Sequence, residues 1–523
     1  MKGNFILVVA VMGLAGLIQG CGGGGGGDDS DWEPGVFMPA GTFRAMCASP
    51  RSGINPFTSQ PFSDVQGSTL DENNFLRSYS NDTYLWYDEI VDRDPANFGS
   101  PRTYFDLLKT TALSPSGQPK DRFHFTYPSD EWFQISQSGV SPGYGATFVI
   151  LSSVPPREVV VAYTEPNSPA TNPAVNLSRG TRILGIDGID IDDNSTAGID
   201  VLNAGLFPES AGMNHSFEIR DPGAGSSRLV SMTTANVTSS PVQDVSVLPT
   251  LSGQVGYLLF NDHIATAEQA LIDAVNQLNA APGIDDLVID LRYNGGGYLD
   301  IASELAYMIA GPVPTSGRPF ETLQFNARHP ATNPVTGKPI TPMPFHSTTQ
   351  DFSAPPGPLP ALNLSRVFVI TGSGTCSASE SIMNGLRGVG VEVIQIGSTT
   401  CGKPYGFYPT DNCGTTYFTI QFRGVNALNF GDYSDGFSPL NTLSVPGLLL
   451  PGCAVGDDFS AALGDPVEKR LAAALAYRES PGTCPVASAR PGTGVSKSDQ
   501  RRPVSDGEVL KSPWLKNRIM RLP

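Results

Sequence analysis

Apolar positions in the second half of the chain follow two patterns, helical spacing and short continuous runs. Residues 266–279 and 301–309 place apolar side chains at helical spacing. Between and after them stand continuous apolar runs with the length of buried strands, at 256–260, 287–291, 367–370 and 391–396. This alternation of strands and helices predicts an α/β domain over residues 250–485.

The first half of the chain has other patterns. Residues 70–135 space aromatic and aliphatic side chains as amphipathic helices do, which predicts a helical domain. Residues 136–245 hold short β-rich runs separated by turn residues, which predicts a small β-rich domain. Residues 21–69 open with glycines and continue rich in Pro, Gly and Ser. They predict a tether and a loosely ordered lead-in.

Charge divides the chain into an acidic body and a basic end. There are 33 Lys or Arg residues against 50 Asp or Glu, so the net charge is −17. An acidic body argues against nucleic acid as a partner. Residues 487–523 hold eight Lys or Arg against three Asp or Glu. Because this end is polar and interrupted by proline, the sequence predicts a disordered basic tail over 486–523.

The N-terminus has the pattern of an export signal over residues 1–20. Lys2 precedes an apolar run at 5–18, which is short for a membrane-spanning helix. A small residue followed by Cys21 resembles a bacterial lipobox. The resemblance implies lipidation of Cys21 and a lipid anchor in the cell envelope, and Gly22 favours the outer membrane. The alternative is a cleaved signal peptide with an incidental cysteine.

A serine and a lysine stand on either side of the apolar run at 391–396. Ser377 stands where a strand turns into a helix, and Lys403 follows 26 positions later in a Gly/Thr loop. A serine hydroxyl needs a base to become a nucleophile, and a desolvated neutral lysine is such a base. Free N–H groups at a helix start stabilise an oxyanion. The alternative is a capping serine and a surface lysine.

Three ordered motifs resemble the S41 serine peptidases, the carboxyl-terminal processing and tricorn-core group. They are S-A-S-E at 377–380, T-T-C-G-K-P at 399–404 and D-L-R-Y-N-G-G-G at 290–297. The resemblance implies that Ser377 is the nucleophile and Lys403 the base. It further implies an oxyanion hole, made by Gly296, with Gly295 as its neighbour, and by Ala378. The implied core is the ββα fold shared by ClpP and crotonase, with no metal or other cofactor.

The chain departs from the family pattern after the lysine. Many relatives place a glutamine four positions later, where this chain has Phe407. The third catalytic member therefore stays open between Glu380 and Gln421. None of the five histidines has a recognisable catalytic setting, and we interpret His263 as structural. No cysteine spacing is typical of zinc, and neither a G-x-S-x-G nor an H-E-x-x-H motif is present.

The β-rich domain resembles a PDZ domain. The resemblance rests on G-Y-G-A-T-F at 143–148 and R-I-L-G-I-D-G at 182–188. Such a groove binds a peptide as an added strand, and loop amides hold its terminal carboxylate. This assigns peptide binding to Gly143, Tyr144, Gly145 and Ala146. The alternative is that the domain only gates or braces the core.

Six cysteines remain after Cys21, and six allow fifteen pairings. Export permits disulfides. We favour a bridge between Cys453 and Cys484, around one C-terminal helix that we predict over residues 465–477, with Asp465 as its N-cap. Cys376 and Cys401 stand beside the proposed nucleophile and base, where a bridge would fix one against the other.

These inferences predict an exported, lipid-anchored serine endopeptidase with a Ser/Lys dyad. Its partners would be protein or peptide substrates, captured with the help of the PDZ domain, and the membrane. Two rivals stay open. One is an S41-like protein that binds peptides or apolar ligands without cutting, and the other is a surface scaffold built on the PDZ domain.

Overall fold

The computed structural model describes residues 32–442, 447–485, 507–510 and 518–521. The expected signal peptide, the glycine tether and Cys21 lie outside these residues. Among the described helices, none combines the length and the apolar character needed to cross a bilayer.

A six-stranded mixed sheet is the centre of the molecule. Its first strand is antiparallel to the second, and the other five run parallel to one another, as expected when helices connect successive strands. In spatial order the strands are Val242–Thr250, Gly253–Phe260, Asp286–Asp290, Arg366–Thr371, Glu392–Gly397 and Gly452–Ala454. The expected α/β core is therefore a mixed α/β layer structure.

Helices cover both faces of this sheet. Because strand side chains alternate, Leu258 and Phe260 pack on one face, whereas Tyr257 and Leu259 pack on the other. The first face carries helices Ala267–Asn279, Leu299–Ala310 and Ala378–Gly388. The second face carries helix Lys469–Glu479. This last helix was expected from residue 465, but it begins after Glu468, whose side chain caps Leu471.

Shorter strands surround the central sheet and form its rim. A turn of helix at Pro312–Thr315 and a two-residue strand at Gly297–Tyr298 flank helix Leu299–Ala310. The remaining strands of this part are Pro319–Gln324, Met343–Pro344, Tyr405–Gly406, Thr410–Asn412, Thr415–Phe418, Phe422–Val425, Phe437–Pro439 and Leu448–Leu450.

The β-rich region has its own apolar core, in which Phe217 and Ile186 are fully buried. The strands of its main sheet are antiparallel. A second, two-stranded sheet pairs Val140–Gly143 with Ala235–Thr238. The other strands are Ala146–Ser152, Glu158–Thr164, Arg182–Ile186, Ile189–Asp190, Asn214–Arg220 and Arg228–Thr233, with helix Thr196–Leu206.

The N-terminal region is helical, and its lead-in is not loosely ordered. Helices Thr69–Thr83, Pro101–Phe105 and Ser129–Ser138 are joined by a strand at Phe125–Pro128. Before them, strands Met46–Cys47 and Val65–Gln66 pair in parallel. A disulfide joins Cys47 to Cys413 on the core. This bond and the ion pairs of Arg51 with Asp64 and Asp411 hold the lead-in in place.

The expectation of a disordered C-terminal tail is wrong for its described residues. Glu508–Leu510 forms a strand on Ala146–Ser152, and Arg518–Ile519 forms a strand on Gly297–Tyr298. Composition predicted a solvated tail, but edge strands of both regions offer unpaired backbone groups that the tail satisfies.

Candidate active site

Ser377 stands between strand Arg366–Thr371 and helix Ala378–Gly388, in a backbone conformation that non-glycine residues rarely adopt. Its φ is +61° and its ψ is −113°. Such a conformation costs about 1–3 kcal/mol and persists only where the surroundings impose it. The side chain is completely buried, and within the described chain its Oγ has no hydrogen-bond partner. A buried, unbonded hydroxyl on a strained turn is the arrangement expected of a nucleophile.

The carboxylate of Glu380 joins the serine turn to the lysine loop. It accepts the N–H of Ser377 at 2.9 Å, and those of Gly402 and Lys403 at 2.8 Å each. Thr400 Oγ1 donates to it at 2.5 Å. Burial raises the pKa of Glu380, and these hydrogen bonds oppose that rise. Glu380 therefore positions the backbone on both sides of the site.

A disulfide between Cys376 and Cys401 makes a second link across the site, with the two Cα atoms 5.1 Å apart. These sulfurs and the Glu380 carboxylate lie within 4.8 Å of one another, close enough for a metal. Because the sulfurs are bonded to each other, they are not free thiolates, and the cluster does not offer a zinc ligand set. A third disulfide joins Cys453 to Cys484, the pair that we favoured.

Two aromatic rings lie beside the amine of Lys403, whose side chain is completely buried. Its Nζ lies 4.7 Å from the ring centre of Phe123 and 4.7 Å from that of Phe407. Phe407 occupies the position where many relatives have a glutamine. In this chain an aromatic face, rather than an amide, lines that side of the amine. These two rings make part of the amine's surroundings apolar.

The glycine turn is bonded directly to the serine turn through Asn294. The carbonyl of Asn294 accepts the N–H of Cys376 at 3.1 Å and the hydroxyl of Ser379 at 3.0 Å. Its side-chain Oδ1 accepts the N–H of Gly296 at 2.9 Å. The Gly296 amide is therefore engaged in this conformation, and it must be released before it can bind an oxyanion. Gly295 and Gly297 flank it, and Ala378 is the first residue of its helix, where N–H groups lack intrahelical partners.

His263 lies closer to this site than the sequence indicated. Its Nδ1 is 2.9 Å from Asn294 Oδ1, and its backbone N–H donates to the carbonyl of Gly296. Burial lowers its pKa to about 3, so the ring is neutral. His263 therefore stabilises the glycine turn, which is a structural role. The sequence signal was its position directly after strand Gly253–Phe260.

The two candidates for the third catalytic member, Gln421 and Glu380, have other hydrogen-bond partners. Gln421 Oε1 accepts the N–H of Tyr408 at 2.7 Å, and its Nε2 donates to the Tyr79 hydroxyl. Both ends of its amide are therefore engaged by tyrosine residues. Glu380 holds the backbone N–H of Lys403. Their contacts give Gln421 and Glu380 packing and positioning roles.

Sequence reasoning missed a buried ionic network beneath the glycine turn. The Arg292 guanidinium pairs with Asp290, Asp457 and Glu468 at 2.8–2.9 Å. Arg179, from the β-rich region, also binds Asp457 and donates to the Tyr293 hydroxyl. Burial alone would raise the pKa of Asp457, but these two guanidiniums hold it well below its usual range. The network ties the β-rich region to the turn that precedes Gly295.

The proposed peptide-binding loop lies at the edge of the β-rich sheet. Gly143 ends one strand and Ala146 begins the next. Between them Tyr144 is buried against Phe217, and a side chain at Gly145 would collide with Ser168. The loop is thus held by contacts with Phe217 and Ser168, and the edge of the following strand, Ala146–Ser152, is paired with Glu508–Leu510.

Comparisons with known proteins bear on this arrangement. Residues 254–407 match the model of peptidase family S41, and residues 71–127 match that of the peptidase S41 N-terminal domain. These two segments are similar to the corresponding parts of the S41 peptidases. The first segment ends four residues after Lys403 and includes both Ser377 and the glycine turn.

One curated relative and two solved structures are similar to this chain. A carboxyl-terminal-processing protease from Picosynechococcus sp. is 32% identical over 174 residues, which are 33% of this chain and 39% of that protein. A Bacteroides fragilis structure described as an S41 protease has a TM-score of 0.57 at 22% identity and covers 77% of this chain and 97% of its own. It shows a shared fold.

A photosystem II D1 C-terminal processing protease is less similar. It has a TM-score of 0.40 at 18% identity, over 72% of this chain and 92% of its own. A similarity at that level carries no weight for the site.

Proposed function

We propose that this protein is a serine endopeptidase that uses Ser377 and Lys403 as a dyad. Ser377 Oγ attacks a peptide carbonyl, and Lys403 Nζ takes its proton and then delivers it to the leaving amine. Water hydrolyses the ester on Ser377 by the same proton route. The amide of Ala378, joined by that of Gly295 or Gly296 after the turn adjusts, holds the oxyanion.

The observation that carries this proposal is the strained, buried turn at Ser377. Among the described residues its Oγ has no hydrogen-bond partner, and it lies at the start of an eleven-residue helix. The Glu380 carboxylate and the Cys376–Cys401 disulfide both join that turn to the loop of Lys403. Two independent links between a serine and a lysine segment support a shared catalytic site. The S41 segment matches support the same activity.

A PDZ-like role for the β-rich region is part of the proposal. Residues 136–245 would capture substrate C-termini or extended segments on the edge of strand Ala146–Ser152. The Arg179–Asp457 pair supports a mechanical connection between that region and the glycine turn. The helical region 70–135 and the ββα core of 250–485 complete the proposed domain order.

Export and a lipid anchor are also proposed. The lipobox-like Cys21 supports attachment to the envelope, and three disulfides suit an oxidising compartment. A chain expressed with its N-terminus would incorporate labelled fatty acid, and Cys21→Ser would not.

The test of the peptidase is hydrolysis of unfolded casein by the purified protein. We expect wild type to cleave it and Ser377→Ala and Lys403→Ala to lose at least about 10³-fold in kcat, as removal of a nucleophile or its base does. Ser80→Ala is a matched control, because the Ser80 hydroxyl is also completely buried and has no hydrogen-bond partner among the described residues. Wild-type casein binding without any turnover would favour the rival of a non-cutting peptide binder.

A further inference from the structure

The described parts of the C-terminal segment lie where the proposed function places substrate. Glu508–Leu510 pairs antiparallel with Ala146–Ser152, with Val509 opposite Val149. This is the strand that directly follows the loop Gly143–Ala146. A peptide that adds to a sheet edge gains backbone hydrogen bonds, and alternate side chains fill pockets. The tail therefore takes the position that a captured peptide would take.

Val509 anchors this first contact near the nucleophile. Its half-buried side chain packs in a cluster with Val149, Val160 and Tyr293. A Cβ added to Gly374, three residues before Ser377, would lie 3.6 Å from Val509 Cγ2. The backbone of the tail thus passes over the turn that leads to Ser377.

The second contact lies between the two sides of the candidate site. Ile519 pairs in parallel with Tyr298, and its side chain is 2% exposed in the main apolar core. On its other side Ile519 bridges to Phe407, and the N–H of Met520 donates to the Phe407 carbonyl at 3.1 Å. Tyr298 follows the glycine turn, and the ring of Phe407 faces Lys403. The tail accordingly joins the oxyanion side to the base side.

We propose that the C-terminal segment is an intramolecular ligand of this chain's own substrate-binding surface and competes with substrate in cis. This surface, which we call the substrate track, is formed by the edges of strands Ala146–Ser152 and Gly297–Tyr298. The track takes an extended polypeptide, with a β-branched side chain at the position of Val509 and an aliphatic one ten residues later, at that of Ile519. That it is a substrate track rests on the proposed peptidase function. That the tail occupies it rests on the pairings alone.

Charge and covalent attachment favour this occupant. The segment is the basic end of a chain whose net charge is −17, so the acidic body attracts it. A ligand joined by a short linker competes at an effective concentration on the order of millimolar. A free substrate well below that concentration enters only when the tail leaves. The proposal therefore predicts a restrained enzyme that removal of the tail activates.

The test uses a fluorescent peptide of residues 507–523 and fluorescence anisotropy. On a Ser377→Ala background, which prevents cleavage, the peptide should bind a chain truncated after residue 506 at least about ten-fold more tightly than the full chain. Peptides carrying Val509→Asp and Ile519→Asp should bind the truncated chain at least about ten-fold more weakly, because each would bury a charge. The matched control peptide carries Glu508→Gln, since Glu508 is exposed.

A second variant covers the case in which truncation prevents folding. The full chain with Val509→Asp and Ile519→Asp keeps its length, and its opened track should bind the wild-type peptide as the truncated chain does. Equal binding by full and opened chains, or binding insensitive to the two aspartates, overturns the proposal. With Ser377 intact, the opened chain should cleave dilute casein about ten-fold faster. If it binds the peptide as expected but cleaves nothing, the peptidase function fails and the intramolecular ligand stands.

Discussion

The carboxylate of Glu380 accepts the backbone N–H of Lys403 at 2.8 Å, although 23 positions separate the two residues. The same carboxylate oxygen accepts the N–H of Ser377. One side chain therefore sets the spacing between the segments that carry the nucleophile and the base. Because Glu380 holds backbone groups, it acts as a positioning residue.

Glu380→Gln should impair both stability and turnover. A glutamine keeps the shape but turns one acceptor oxygen into a donor, so amides that faced the carboxylate lose their partner. We expect the free energy of unfolding to fall by about 2–4 kcal/mol. In casein hydrolysis kcat should fall far more than KM rises, since the dyad rather than the track is displaced. Glu392→Gln, at an exposed site, is the control. Equal losses in kcat and KM would contradict a positioning role.

The disulfide beside the site should matter for rate as well as stability. Cys376→Ser with Cys401→Ser, and Cys453→Ser with Cys484→Ser, each open a loop of similar size, with separations of 25 and 31 residues. Chain entropy therefore predicts a similar loss of about 3.5 kcal/mol in both. Only the first pair should also lower kcat, by at least about ten-fold, when rates are compared well below both melting temperatures. Equal kcat values in the two pairs would show that the bridge at Ser377 has no positioning role.

Glu304 gives the protein a predicted pH dependence. Burial raises its pKa from 4.5 to about 10, and the neighbouring carboxylates of Glu268 and Asp300 add to the rise. A carboxyl whose pKa is raised on folding stabilises fully below pH 4.5, and that stability is lost as pH rises towards 10. Glu304→Gln removes this loss. Its melting temperature relative to wild type should therefore increase steadily between pH 5 and pH 9.

The control for Glu304 is Glu209→Gln, at an exposed carboxylate. Its melting temperature should follow that of wild type at every pH. A difference between Glu304→Gln and wild type that stays constant from pH 5 to pH 9 would mean that Glu304 is already ionised in the folded protein.

Local patterns predicted the elements that carry the site. The strand and glycine turn before Gly296 and the strand-to-helix turn at Ser377 are each encoded by a few adjacent residues, so periodicity and turn chemistry identified them. The helix expected from residue 465 begins later because Glu468 is drawn into the Arg292 network and caps the helix. A helix cap that depends on a contact with a distant arginine cannot be predicted from the local sequence.

Long-range contacts account for what the sequence did not reveal. Phe123 faces the amine of Lys403 from 280 positions away, and Arg179 reaches Asp457 from another region of the fold. The tail has the composition of a solvated segment, yet Ile519 is buried between two strand edges. The composition of a segment indicates how much apolar surface it can bury by itself. These residues are instead ordered by contacts with other segments of the chain.

The most direct test of the Ser377–Lys403 account is covalent labelling of the wild-type protein by a fluorophosphonate, with the modified residue located by peptide mass spectrometry. The account predicts a single modified serine, Ser377, and loss of that adduct in Lys403→Ala under the same long incubation. Labelling of a different serine, or equally fast labelling of Ser377 without Lys403, would contradict it.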